Sequence, residues 1–331
     1  MKNDLIRLIF ILAAIFLIQR SGSCFPLRTE EVTFSNNDCN LSGSVILPKG
    51  EGPFNAVVFI HGSGPEERAN SRSLANEFAD HGYVALIYDK RGVGKSGGDP
   101  KSVQYYSIED LSNDAIAAVK YLASRTDVTP KHIGLVAFSQ GGWVASLAAD
   151  KDSGIAFMVV ISGSVTTISE DNYFERAARL KKEGFTGEDI DQANEMHLLD
   201  LEVSRSSSAF ETFQALWAKY KTAPWFKRVY LSENPIAADH NYRKWYKTVM
   251  DFDPVMHLEK SSQPALWIYG DAALDQYCPV EKSIKAIEQL KQSGKDYEIQ
   301  TFPGANHSLV KGSKRVDIEV PIFNWLKKVK P

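Results

Sequence analysis

The sequence predicts an α/β fold: a mainly parallel sheet of about eight strands with helices on both faces and a helical segment inserted late in the chain. Three observations carry this. Short apolar runs alternate with helix-patterned stretches from residue 31 onward. The central runs are apolar throughout, as in strands covered on both faces. One long polar stretch, residues 165–259, breaks the rhythm with a helical pattern and no strand-like run.

Strands are expected at residues 31–34, 41–47, 56–60, 84–88, 133–138, 155–161, 265–269 and 297–302. Helices are expected at 71–81, 108–124, 141–150, 279–292 and 316–329. Asn36-Asn37-Asp38 has the composition of a turn, so the first two strands form an antiparallel start to the sheet. A loop as long as 165–259 is better read as an inserted helical cap, and it carries Trp217, Tyr220, Trp225, Phe226, Tyr230, Tyr242, Trp245 and Tyr246. Those aromatics suit either an apolar substrate pocket or the insertion's own core. The domain reading is therefore a signal over 1–23, a core in two parts over 30–164 and 260–331, and a cap over 165–259.

The 331 residues are 44% hydrophobic and 24% charged, ordinary for a globular protein, and the formal net charge of −3 gives no electrostatic reason to expect nucleic acid as partner. Lys2 and Arg7 precede an apolar run from Leu8 to Ile18, and Ser21-Gly22-Ser23 follow, the pattern of a secretory signal. The run is short of the ~20 residues of a permanent span, although an uncleaved anchor shares its charged flank. Cys24 also resembles the lipidated cysteine of a bacterial lipoprotein, with Ser21 where a Leu is usual. The expectation is export, with membrane contact only through a lipidated Cys24. Cys24, Cys39 and Cys278 are too few for a disulfide framework, though Cys24 and Cys39 can pair if Cys24 survives unlipidated. Cys278 reads as a buried thiol, no cysteine spacing suits a metal, and no cofactor is expected.

The chemistry is concentrated in a few loops. Val136-Ala137-Phe138-Ser139-Gln140-Gly141-Gly142 places a serine between a strand and a helix, in a turn so tight that the residues two before and two after it must be small. Here they are Ala137 and Gly141, with Ala in the place of the usual first Gly. The helix N-terminus behind Ser139 favours negative charge there. Acyl transfer also needs two backbone N–H groups aimed at a developing oxyanion. Gln140, after the serine, is one; Ser63, in His61-Gly62-Ser63-Gly64-Pro65, is the other. His61 itself reads as a brace for that loop.

Of seven histidines, chain order (serine, acid, histidine) removes His61, His81 and His132, while His197, His240 and His257 lie in the insertion or at its exit. His307, in Gly304-Ala305-Asn306-His307-Ser308 after the last strand, is the expected base. The acid should follow the strand at 265–269, where Asp275 is the first choice and Asp271 the alternative. Gly94-Lys95-Ser96 matches the tail of a phosphate-binding loop, but Asp89 stands where its first Gly belongs and no helix follows at once. Asp89 and Arg91 read instead as loop-stabilising charges.

Taken in order, Leu41-Ser42-Gly43, the His61 loop, the run from Asp89 to Ser96, the Ser139 turn, Asp275-Gln276-Tyr277-Cys278-Pro279 and Gly304-Ala305-Asn306-His307 resemble capped bacterial α/β-hydrolases of the carboxylesterase and serine-aminopeptidase-like group. The resemblance runs from about residue 30 to the end, the cap excepted. It implies the α/β-hydrolase fold and a Ser–His–Asp triad at Ser139, His307 and Asp275. The segment between Gly270 and Asp275 is two residues longer than the usual Gly-x-x-Asp. Three readings follow: hydrolysis of carboxylic esters, of a small-molecule acyl substrate, through an acyl-enzyme; peptide or thioester hydrolysis by the same triad; and a non-catalytic binding protein on the same fold. A peptidase acting on free N-termini needs a carboxylate near the serine, for which Glu170, Asp171, Glu175 and Asp191 are available.

Overall fold

The computed structural model describes residues 27–37, 39–230 and 234–329. The expected signal and Cys24 lie outside the described residues. Eight strands form one sheet: β1 (Arg28–Asn36), β2 (Cys39–Leu47), β3 (Phe54–Ile60), β4 (Tyr83–Tyr88), β5 (Val128–Phe138), β6 (Ile155–Ile161), β7 (Ala265–Tyr269) and β8 (Tyr297–Thr301). Their spatial order is β1-β2-β4-β3-β5-β6-β7-β8. β1 pairs with β2, and β2 with β4, antiparallel; every other neighbour is parallel.

Helices α1 (Arg72–Asp80), α2 (Ile108–Ala123), α3 (Gly141–Lys151), α10 (Val280–Gln292) and α11 (Glu319–Leu326) cover the two faces. The two-residue period of a strand decides which face each side chain joins. Ala56, Val58 and Ile60 of β3 join the core layer that also holds α2, α3 and α10, whereas Val57 and Phe59 join the layer of α1 and α11. This is why the central strands read as unbroken apolar runs: each alternate residue finds its own helical layer. α11 begins three residues later than residue 316, where the pattern places it. A small hairpin, β9 (Val310–Lys311) with β10 (Lys314–Arg315), precedes it, and the Asp317 carboxylate then accepts the Glu319 and Val320 N–H groups, fixing the start.

Between β6 and β7 the chain leaves the sheet, and its described residues form six α-helices: α4 (Ile168–Lys182), α5 (Gly187–Arg205), α6 (Phe210–Tyr220), α7 (Phe226–Val229), α8 (Asn241–Val249) and α9 (Pro254–Leu258). Thr167 and Glu170 cap α4 reciprocally, side chain to backbone N–H. Trp217, Tyr220, Trp225 and Phe226 are buried with Leu180, Met196 and Phe213 in a core of the insertion's own. Tyr246 joins the main core, with Tyr242 and Trp245 packed against it. Of the two roles open to these aromatics, packing is the one they fill, because none of the eight lines the cleft at Ser139.

Candidate active site

β5 ends at Phe138 and α3 starts at Gly141, so the chain reverses within two residues. Ser139 bears the strain at φ 48°, a left-handed conformation that costs a non-glycine residue about 1–3 kcal/mol. Its N–H is held by the Ile161 carbonyl at 2.9 Å, and its carbonyl accepts the Gly142 N–H at 2.8 Å. Gly141 is obligatory: a Cβ there would lie 2.9 Å from the His61 carbonyl oxygen, 3.0 Å from that of Ile60 and 3.3 Å from Ala137 Cβ. The last distance explains the departure at Ala137, whose methyl occupies room that Gly141 leaves empty.

The structure brings Ser139, His307 and Asp275 together. His307 Nε2 lies 3.1 Å from Ser139 Oγ, and His307 Nδ1 lies 2.9 and 3.0 Å from the two Asp275 oxygens. Asp275 is buried, and its Oδ1 also accepts the Tyr277 and Cys278 N–H groups, both at 2.9 Å. That geometry leaves the carboxylate to receive an N–H from His307 Nδ1 and Nε2 free to accept from the serine. Asp271 is turned elsewhere, accepting the Ala273 and Gly304 N–H groups at 3.0 and 2.9 Å. The loops meet because Gly270 has no side chain: a Cβ would stand 2.5 Å from the carbonyl oxygens of Ala305 and Asn306. Ser162 Oγ then donates to the His307 carbonyl at 2.7 Å.

Ser63 and Gln140 border the same recess as Ser139. Among the described residues, neither backbone N–H has a protein acceptor. His61 is buried, and burial together with the Lys90 ammonium lowers its pKa to about 4. Its neutral ring donates Nε2–H to the Tyr88 carbonyl at 2.5 Å, as a loop brace would.

The charged run after β4 divides its work. Arg68 donates to both Asp89 oxygens, at 3.0 and 2.8 Å, and Arg91 to both Asp114 oxygens, at 2.6 Å each. Between them Lys90 turns inward, its Nζ donating to the Gly62 carbonyl at 2.7 Å, the Gly64 carbonyl at 3.1 Å and Gln140 Oε1 at 2.8 Å. Lys90 belongs to no catalytic motif in the sequence. The available signal is the charged triplet itself, which leaves a buried strand and cannot point all three heads at water.

A cleft of about 500 Å³ opens over Ser139 and His307. Glu66, Asp171, Glu175, Tyr277 and Arg315 line it. Of the four carboxylates the sequence offered, Asp171 and Glu175 face the cleft; Glu170 is spent on capping α4, and Asp191 is exposed. Burial, with the Glu175 and Asp275 charges, pushes the Asp171 carboxyl up to about 7. Its Oδ1 is buried and without a hydrogen-bond partner.

Sheet order, the strained turn and the convergence of these loops define an α/β-hydrolase. The serine aminopeptidase S33 family model matches residues 51–313, and the chain belongs to that family. Esterase EstD of Thermotoga maritima is 32% identical over 115 residues, 33% of this chain and 27% of EstD. Thiohydrolase aneE of Aspergillus aculeatus is 24% identical over 267 residues, 78% of this chain and 81% of aneE. The solved structure of the Pyrococcus furiosus esterase Pf2001 superposes with a TM-score of 0.58 at 19% identity, covering 92% of this chain and 94% of that one. The chain spans less than half the length of the first curated relatives it matches.

Proposed function

We propose that this protein is a serine hydrolase that cleaves carboxylic esters through an acyl-enzyme on Ser139. The observation that carries the reading is the His307 imidazole standing between Ser139 Oγ and the buried Asp275 carboxylate. As Ser139 Oγ attacks the ester carbonyl carbon, its proton passes to His307 Nε2, and Asp275 stabilises the imidazolium. The carbonyl π-pair becomes an oxyanion between the Ser63 and Gln140 N–H groups, each good for ~3 kcal/mol of transition-state stabilisation. Collapse breaks the bond to the alcohol, which leaves with the His307 proton. Water, deprotonated by the same base, then releases the acid and restores Ser139. EstD, named an esterase, is a relative consistent with this chemistry.

A second reading concerns what the acyl group carries. Glu66, Asp171 and Glu175 face the cleft with Arg315, and Glu175 also pairs with the Arg179 guanidinium, so Glu66 and, above about pH 7, Asp171 are the carboxylates on offer to a cation. That favours a substrate with an ammonium beside the scissile carbonyl, an aminoacyl ester or amide, in keeping with the family's name.

A fluorophosphonate probe tests the chemistry directly. We expect one label on Ser139, none in Ser139→Ala, and loss of at least ~10³-fold in kcat for that variant. Folded protein that takes no label is a binding protein. A panel of p-nitrophenyl esters, acyl thioesters and aminoacyl-anilides sorts the substrate classes by kcat/KM, and preference for thioesters or anilides over esters removes the esterase reading.

A further inference from the structure

We propose that Lys90 is a positioning residue that sets the orientation of the Gly62–Ser63 peptide and so builds the pocket for the oxyanion. The inference rests on the reading of Ser139 as nucleophile and adds a group that reading does not contain.

The argument begins with one peptide plane. The Gly62 carbonyl and the Ser63 N–H belong to the same peptide unit, and in a trans peptide the two point in opposite directions. Lys90 Nζ holds the Gly62 oxygen at 2.7 Å. The N–H of Ser63 is thereby turned away from Lys90, and Ser63 borders a recess together with Ser139 and Gln140. Without that hold the plane has little to fix it. It lies in a His-Gly-Ser-Gly run whose Gly64 already sits at φ 81°, and glycine on its flank makes rotation of the plane cheap. A rotated plane would aim a carbonyl oxygen, not an N–H, at the developing negative charge.

The same ammonium reaches the other donor. It bonds Gln140 Oε1 at 2.8 Å, tying the side chain of the residue after Ser139 to the loop that carries Ser63. Its bond to the Gly64 carbonyl at 3.1 Å holds the far side of that loop. One cation therefore fixes the spacing between two backbone donors that come from different strands. Lys90 is 3% exposed and its head is spent on protein acceptors, so it positions the pocket without meeting substrate. A buried cation behind the 62–63 peptide also polarises that N–H, strengthening the bond it gives to an anion.

Lys90→Met keeps the length of the side chain and removes the charge and the donors; Lys90→Gln keeps donation and removes the charge. For each, kcat and KM are measured on the best p-nitrophenyl ester, together with inhibition by an arylboronic acid, whose adduct with a serine is tetrahedral and anionic, and by the carboxylic acid product. Fluorophosphonate labelling of wild type comes first. Its failure removes the Ser139 reading and this proposal together. With wild type labelled, we expect Lys90→Met to lose about 10- to 100-fold in kcat, less than deletion of a whole donor. KM and product inhibition should stay within about threefold, and boronate affinity should fall in step with kcat. Lys90→Gln should lie between Lys90→Met and wild type, and it carries the test if Lys90→Met does not fold. A folded variant whose kcat and boronate affinity match wild type overturns the role of Lys90 alone. So does a variant that changes only KM, or one that loses kcat with boronate affinity intact.

Discussion

At the scale of single residues, the two carboxylates after β7 separate cleanly. Asp275 is enclosed and shared between His307 and two backbone N–H groups, whereas Asp271 closes a turn. Asp275→Asn should lower kcat by ~10³–10⁴-fold with little change in KM, because an amide either repels the Nδ1–H or imposes the wrong tautomer. Asp271→Asn should stay within about threefold. The reverse result in steady-state ester assays would assign the acid to Asp271. Chain order and loop position made Ser139, His307 and Asp275 legible in the sequence, since each follows a recognisable strand. Lys90 was not, because two of its three partners are backbone carbonyls 26 and 28 positions away, which leave no mark in the sequence, and the third, Gln140, is 50 positions away.

At the scale of elements, α4 matters most, because it turns two carboxylates, one helical turn apart, towards the cleft. If an ammonium is recognised there, Asp171→Asn should raise KM for an aminoacyl-anilide about tenfold or more and leave KM for a neutral ester within about threefold. The sign of the pH dependence follows from the raised Asp171 pKa of about 7: the carboxylate charge is present above that value and lost below it. Below the substrate's own α-ammonium titration at ~8, the ratio of KM for the cationic to the neutral substrate should therefore fall as pH rises towards 7 in wild type and stay flat in Asp171→Asn. A flat wild-type ratio removes Asp171 from recognition. Among the elements themselves, β6 and β7 begin and end where their apolar runs do, β6 between Gly154 and Ser162 and β7 between Pro264 and Gly270. The face that α4 presents was not readable, because its mixed polar pattern serves two neighbours at once. The β9–β10 hairpin was missed for a simpler reason: strands of two residues carry no period.

At the scale of the whole molecule, one sheet with a helical layer on each face supplies the rigid platform, and the insertion supplies a wall of the cleft. The fold was legible because alternation of strand and helix over the length of a chain admits few other architectures. What escaped was the destination of the insertion's aromatics. Composition alone does not distinguish a helical subdomain that fills its own centre from one that lends its rings to a ligand.

The distances along the chain have a consequence in time. Ser139 and His307 are 168 positions apart, and the insertion must loop out before β7 can pair with β6. Closing so long a loop is slow, because its entropy is spent before the contacts it brings are formed. Helices and the local β1–β2 hairpin need no such closure. On refolding from urea, far-ultraviolet circular dichroism should therefore recover before Ser139 regains reactivity to fluorophosphonate. Coincident recovery of the two signals would show that the site forms with the first structure. A lag would make the serine a clock for the last long-range pairing of the chain.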